Sequence, residues 1–119
     1  MVGRTVSWIY DVVAVDDRGR VAARQLLRHV ACPPGAAVSI RERGGLLVVT
    51  ADPAGTSAVT SQGYLRIPAS IRRRHGLTAA SRVLVVADPE TRRLIVHPPT
   101  SVDAMVAVCH AAAFGDGAP

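Results

Sequence analysis

The sequence predicts a mainly β fold with short helices, in which two tandem repeats share one core and a final helix follows them. Three observations lead there. Short runs of alternating or continuous apolar residues, punctuated by Gly, Pro, Asp and Thr, recur along most of the 119 residues. Val15-Asp16-Asp17-Arg18-Gly19-Arg20-Val21-Ala22-Ala23 overlays Val59-Thr60-Ser61-Gln62-Gly63-Tyr64-Leu65-Arg66-Ile67 at an offset of 44, Gly on Gly and apolar on apolar. Beyond His97-Pro98-Pro99, the residues Val102, Met105, Val106, Cys109 and Ala112 recur at helical spacing. A repeat of about 40 residues is too small to bury its own apolar faces, so the two repeats are expected to fold as one unit.

Taken in order, residues 1–4 form a loose end and 5–15 a strand. Val6, Trp8, Tyr10, Val12 and Ala14 share one face of it, which the alternation assigns to the core or a dimer interface before any stacking on a nucleobase. Repeat one, 12–50, turns at Gly19 and enters a helix over about 24–31. Its Leu26, Leu27 and Val30 share one face and Arg24 and Arg28 another. Leu27-Arg28 matches Ile71-Arg72, and after a one-residue shift 32–38 matches 77–83. Leu46-Leu47-Val48 then overlays Leu94-Ile95-Val96, with the later hairpin loop three residues longer. Turn residues place the first hairpin at Glu42-Arg43-Gly44-Gly45, and residues 51–56 link the repeats.

Repeat two, 57–98, carries the most informative stretch. Gly63 stands where two apolar runs meet and is free to take positive φ, and Pro68 has the fixed φ of a first helical turn. The short helix stops at Gly76. Ile71 is its main apolar contact, with Leu77 just beyond, while Arg72, Arg73 and Arg74 fan over the rest of its surface. A second hairpin turns over 87–92. Domain 1–99 therefore holds both repeats, and 100–119 is a C-terminal helix, capped by Thr100 or Ser101, with a frayed tail.

The charge is +5, carried by 14 basic residues that are all arginine, and this points to a polyanionic partner. A run of three arginines also reads as a solvated helix face. Its position beside a Gly turn and a Pro-started helix favours phosphate contact from a rigid element. Gly63, Ile67, Pro68, Ile71, Arg72, Arg73 and Gly76, followed by Val83-Leu84-Val85-Val86 and Leu94-Ile95-Val96, resemble the AbrB/MazE/SpoVT swapped-hairpin DNA-binding domain. The duplication resembles the tandem arrangement of MraZ-like members. Tyr64 departs from the family pattern, which has Arg after the turn Gly, and so do Ala23 and Arg24, which stand where repeat two has Ile67 and Pro68.

The resemblance implies a closed β-barrel of interleaved hairpins built by one chain, and a sequence-specific transcriptional regulator of double-stranded DNA. By the same resemblance the DNA-binding residues are Arg18, Arg20, Arg24 and Arg28 from repeat one and Arg66, Arg72, Arg73 and Arg74 from repeat two. Arg92 and Arg93, in a hairpin loop, are expected to lie away from that face. A MazE-like antitoxin is the rival, with the final helix as the toxin-binding segment; a scaffold that lost DNA binding is the third reading. The apolar stripe of that helix must be covered, either by its own chain or by the same helix of a second copy.

Nothing in the sequence spaces a nucleophile with a base, two carboxylates or a phosphate-cradling loop as catalysis requires, so no enzyme activity and no cofactor are expected. His29, His75, His97 and His110 are scattered, without metal-ligand spacing. No apolar run is long enough to span a membrane, and the expected location is the cytoplasm. Cys32 and Cys109 are expected as buried or half-buried thiols.

Overall fold

In a computed structural model, residues 8–115 are described. They form β1 (Ile9–Ala14), β2 (Arg20–Ala22), α1 (Arg24–His29), β3 (Ala37–Arg43), β4 (Leu46–Ala51) and β5 (Ser57–Ala58), then β6 (Tyr64–Arg66), α2 (Ala69–Arg74), β7 (Arg82–Asp88), β8 (Arg93–His97) and α3 (Pro99–Phe114). The fold is mainly β, with antiparallel sheets and three helices.

The closed barrel expected from the sequence does not form. Six strands make an open sheet in the order β1-β7-β8-β4-β3-β5, and β2 pairs with β6 in a separate two-stranded ribbon. Closure fails because the chain turns off the sheet after β1 and again after β5. The Val15 N–H still donates to the Ser81 carbonyl and the Val59 N–H to the Ala36 carbonyl, and then each segment makes a tight turn into the ribbon. A lone bridge, Val59 to Leu65, joins the two sheets, and β5 has only two residues to offer an edge.

Hydrogen bonds recur in pairs along the chain. Asp16 N–H to the Arg20 carbonyl has its counterpart in Thr60 N–H to the Tyr64 carbonyl, and Cys32 N–H to the Leu27 carbonyl in Leu77 N–H to the Arg72 carbonyl. The ribbon pairs Arg20 with Arg66, Val21 with Leu65 and Ala22 with Tyr64, a set that the offset of 44 maps onto itself. In the middle of the large sheet, Leu47 pairs with Val96, Val48 with Ile95 and Val49 with Leu94. This register aligns Leu47 with Leu94, one residue away from the overlay drawn from sequence, and the second hairpin is longer by two residues (four, 89–92, against two, 44–45), not three. The difference matters because a slip of one residue moves every side chain to the other face.

One layer of the core is the inner face of the sheet, where Val38, Leu47, Val49, Val83, Val85, Leu94 and Val96 are fully buried. The other is built by Val21 and Leu65 of the ribbon, Leu26 and Leu27 of α1, Ile71 of α2, and Val30, Ile67 and Leu77 beside the helices. All of these side chains are aliphatic, and truncating one such as Leu47 to Ala should cost about 2–5 kcal/mol. Both short helices end on a residue in the left-handed region, Ala31 at φ 62° and Gly76 at φ 63°.

Of the two places expected for this face of β1, the core or a dimer interface, the core of its own chain is not the one it takes. Trp8, Tyr10 and Val12 are 48%, 68% and 50% exposed, while Ile9 and Val13, on the opposite face, pack against the core. Pairing with β7 decides this, since Ile9 lies opposite Ala87 and Val13 opposite Val83, both inner-face residues. On the outer face α3 touches β7 and β8, yet none of its residues is buried. Of its apolar stripe Val102 is half-buried, while Met105, Val106, Cys109 and Ala112 stay exposed. Cys109 is exposed, against expectation, whereas Cys32 is buried and burial raises its thiol pKa. The result is a plate of 47 × 38 × 21 Å. Its radius of gyration, 15.4 Å, exceeds the roughly 13.5 Å of a compact chain of this length. Among the described residues, no helix is long and apolar enough to cross a membrane.

Candidate nucleic-acid interface

The β2–β6 ribbon alternates as a two-faced strand pair must. Val21 and Leu65 point into the core, which turns Arg20, Ala22, Tyr64 and Arg66 outward. Because the strands are antiparallel, Arg20 and Arg66 sit side by side at one end, and Ala22 and Tyr64 at the other. Two like charges directly opposite each other cost stability unless something draws them apart.

Arg20 is drawn away by a built partner set. Its Nε donates to Asp16 Oδ2 at 2.7 Å, and its guanidinium carbon lies 4.9 Å from the centre of the Tyr64 ring. Asp16 is fixed in turn, since its Oδ1 accepts the Arg20 N–H at 2.8 Å and the Arg18 N–H at 2.9 Å. These hydrogen bonds, the Arg20 N–H foremost, hold the Asp16 carboxyl below its ordinary range. In the second half Thr60 takes the same place, its hydroxyl accepting the Tyr64 N–H at 3.0 Å. Sequence reading passed over Asp16 and Thr60. The signal was present: a side-chain acceptor lies three residues before Gly in both repeats, the pattern of a turn closed by its own side chain.

Arg66 is exposed and has no acidic partner among the described residues. It borders a cleft with Thr56, Ser57, Thr60 and Pro68. The two turn glycines bring the remaining arginines in. A Cβ on Gly19, at φ 75°, would overlap the guanidinium of Arg72, and one on Gly63, at φ 86°, would strike the stem of Arg24. Each turn is thus overlain by an arginine from the helix of the opposite half. Arg72 is half-buried, and its Nε has no hydrogen-bond partner among the described residues.

Of the eight sequence-predicted arginines, then, Arg20, Arg24, Arg66 and Arg72 gather around the ribbon, with Arg18 exposed in the adjoining turn. Arg28 and Arg73 are exposed on the last turns of α1 and α2, where they also favour the helix dipole. Arg74 is drawn off the cluster. Its Nε donates to Glu42 at 2.9 Å, and His75 Nε2 lies 2.9 Å from the same carboxylate oxygen. The Arg74 hydrogen bond, followed by that of His75, holds the Glu42 carboxyl below its ordinary range. Because Glu42 belongs to β3, the far end of a hairpin lies against a basic helix, and β7 likewise touches α1. Arg93, which was expected with Arg92 to lie away from that face, donates its Nε to Thr91 within its own hairpin.

No protein-family profile, curated protein or solved structure matches this chain. Among the described residues, no group of three or more His, Cys, Asp or Glu side chains is placed to hold a metal ion. The ribbon and its flanking turns offer a cluster of cations, Arg20 among them held by Asp16, and one half-buried aromatic ring, chemistry suited to a phosphate backbone and planar bases.

Proposed function

We propose that this chain is a sequence-specific DNA-binding transcriptional regulator of the swapped-hairpin AbrB-like kind, its two tandem repeats forming an intramolecular pseudo-dimer. The observation that carries the reading is the side-by-side pair Arg20 and Arg66 on the outward face of a two-stranded ribbon. A B-DNA major groove, about 12 Å wide, admits such a ribbon, and an arginine there takes guanine O6 and N7 together. Arg20 is held in advance by Asp16 and the Tyr64 ring, so little side-chain freedom is lost when it meets a base edge. Arg18, Arg24, Arg28, Arg72 and Arg73 flank the ribbon as phosphate contacts, which position the protein without reading sequence. Arg74, already balanced by Glu42, contributes least. Two further features support an interleaved pair of repeats: the strand order reads the same from either end, and β1 and β5 each pair with a strand from the other half.

The test is selection of genomic fragments by the purified protein, followed by binding at several salt concentrations. Two double variants remove equal charge from opposite sides of the sheet. Arg72 and Arg73 belong to the ribbon side, whereas Arg41 and Arg82 are exposed at outer-face positions. Changing the first pair to alanine should weaken binding and lower the log–log salt slope by about 2, near 0.9 per lost phosphate contact. Changing the second pair should leave the slope nearly unaltered. Equal losses from both pairs, or no fragment enriched above background, would refute the reading.

A further inference from the structure

Glu42 is the one acidic residue of the first hairpin, 37–51. It pairs with the inner-face residue Leu47, so alternation turns it toward the helix layer while Arg41 and Arg43 point to the outer face. There its carboxylate meets the end of α2. Arg74 Nε donates to Oε1 at 2.9 Å and to Oε2 at 3.2 Å, and His75 Nε2 lies 2.9 Å from Oε1. One acidic side chain thus engages two neighbouring groups of the helix that carries the run of three arginines. The Arg74 side chain is 56% exposed, so water and dissolved anions reach the pair.

Two features set this contact apart from a structural tie. An exposed ion pair adds little to stability, and the hairpin is already held by its ladders to β5 and β8. The other half, moreover, closes the same junction without charge. α1 and α2 both have six residues and β3 and β7 both seven, so the halves compare place by place. Val30 caps α1 as His75 caps α2, and Ala87 holds in β7 the place that Glu42 holds in β3. Val30 and Ala87 are fully buried, so the fold itself does not require an ion pair there. A guanidinium receives a carboxylate and a phosphate with the same fork of N–H groups. We infer that Glu42 is a built-in competitor of the DNA backbone. Its carboxylate holds Arg74 in the free protein, a phosphate takes Arg74 over on the duplex, and His75 stays beside the released carboxylate. Every encounter with DNA must then displace Glu42 before Arg74 adds a contact, which lowers affinity for any duplex. This rests on the DNA-binding reading for the identity of the competing polyanion.

The experiment measures binding of the full chain to a random-sequence duplex at several salt concentrations, with circular dichroism as the fold control. Glu42→Gln keeps the size of the side chain and removes its charge, and Glu42→Ala removes the acceptor as well. Either should raise affinity several-fold and steepen the log–log salt slope by about 0.9, the mark of one added phosphate contact. Asp103→Asn removes the same charge from an exposed position on α3 and reports the long-range effect alone, a smaller rise. Arg74→Ala should bind nearly as the wild type does, and in that background the Glu42 variants should give no more than Asp103→Asn gives. The inference is overturned if neither Glu42 variant exceeds Asp103→Asn, or if their excess survives in Arg74→Ala. The random duplex keeps the two readings apart. Absence of an enriched genomic fragment refutes sequence-specific recognition and leaves this competition measurable, whereas uncoupled Glu42 and Arg74 refute the competition and leave recognition standing.

Discussion

The Asp16 carboxylate governs Arg20 through two hydrogen bonds and accepts a third from the Arg18 N–H, so its removal separates geometry from charge. Asp16→Asn adds one unit of positive charge, which by long-range attraction alone should strengthen binding to any DNA. If Arg20 reads a base only when held, the same change should weaken binding to the selected fragment, by about 1 kcal/mol for the lost charge-assisted bond, while binding to random DNA is kept or increased. Parallel titrations with the two DNAs check this. A different residue sets an acid limit on stability. His97 on β8 faces Ser101, with Nδ1 at 2.8 Å from the hydroxyl, and burial lowers its pKa from 6.5. The folded protein thus binds this proton less readily than the unfolded chain. Its contribution is complete above pH 6.5 and is lost progressively as pH falls from there toward the lowered folded value. Thermal unfolding between pH 7.5 and 5.5 should show a larger drop in midpoint for the wild type than for His97→Gln.

At the scale of elements, the turns and helix faces were legible and the sidedness of the first strand was not. Gly19 and Gly63 announced matching turns, and Leu26, Leu27 and Ile71 announced the buried sides of α1 and α2, because each signal is local. β1 carries apolar residues on both faces, Ile9 and Val13 against Tyr10 and Val12, so alternation alone left two equal choices and pairing with β7 made the decision. Loss of closure was equally hidden, since it depends on where 16–19 and 60–63 leave the sheet. Helix ends show the two halves exchanging roles. Ala31 at φ 62° stands where the second half has Gly76, and Ala80 at φ 71° where the first has Gly35. An alanine in that region costs roughly 1–2 kcal/mol. Ala31→Gly and Ala80→Gly are both exposed changes and should each stabilise the protein, by about 0.5–1 kcal/mol once the greater freedom of the unfolded glycine is offset. Denaturant unfolding with an unchanged m-value checks both.

For the molecule as a whole, the ribbon is symmetric in backbone and lopsided in charge. Arg20 and Arg66 come from different repeats, yet strand pairing sets them at the same end of the ribbon, with Ala22 and Tyr64 at the other. The proposed site should therefore be an imperfect inverted repeat, with its guanine preference concentrated in one half. Replacing Arg20 by Ala should cost about 1–3 kcal/mol and relax that half only. Tyr64→Arg places a cation at the other end and should shift the selected sequence toward a palindrome; an identical consensus for both proteins would show that the ribbon ends do not set the half-sites.

The interleaved strand order has a kinetic side. β1 pairs with β7 and β5 with β3, so neither half completes a sheet until the other is present, and most of the pairing must wait for closure of long loops. Residues 51–56 shorten that wait. By tethering the halves they turn an encounter between two chains into an internal one, at an effective concentration on the order of millimolar. Assembly then no longer depends on how much protein the cell makes. On the proposed reading of two tandem repeats, each half is freed from having to match an identical twin, and the unequal ends of the ribbon are what separate drift of the halves would leave.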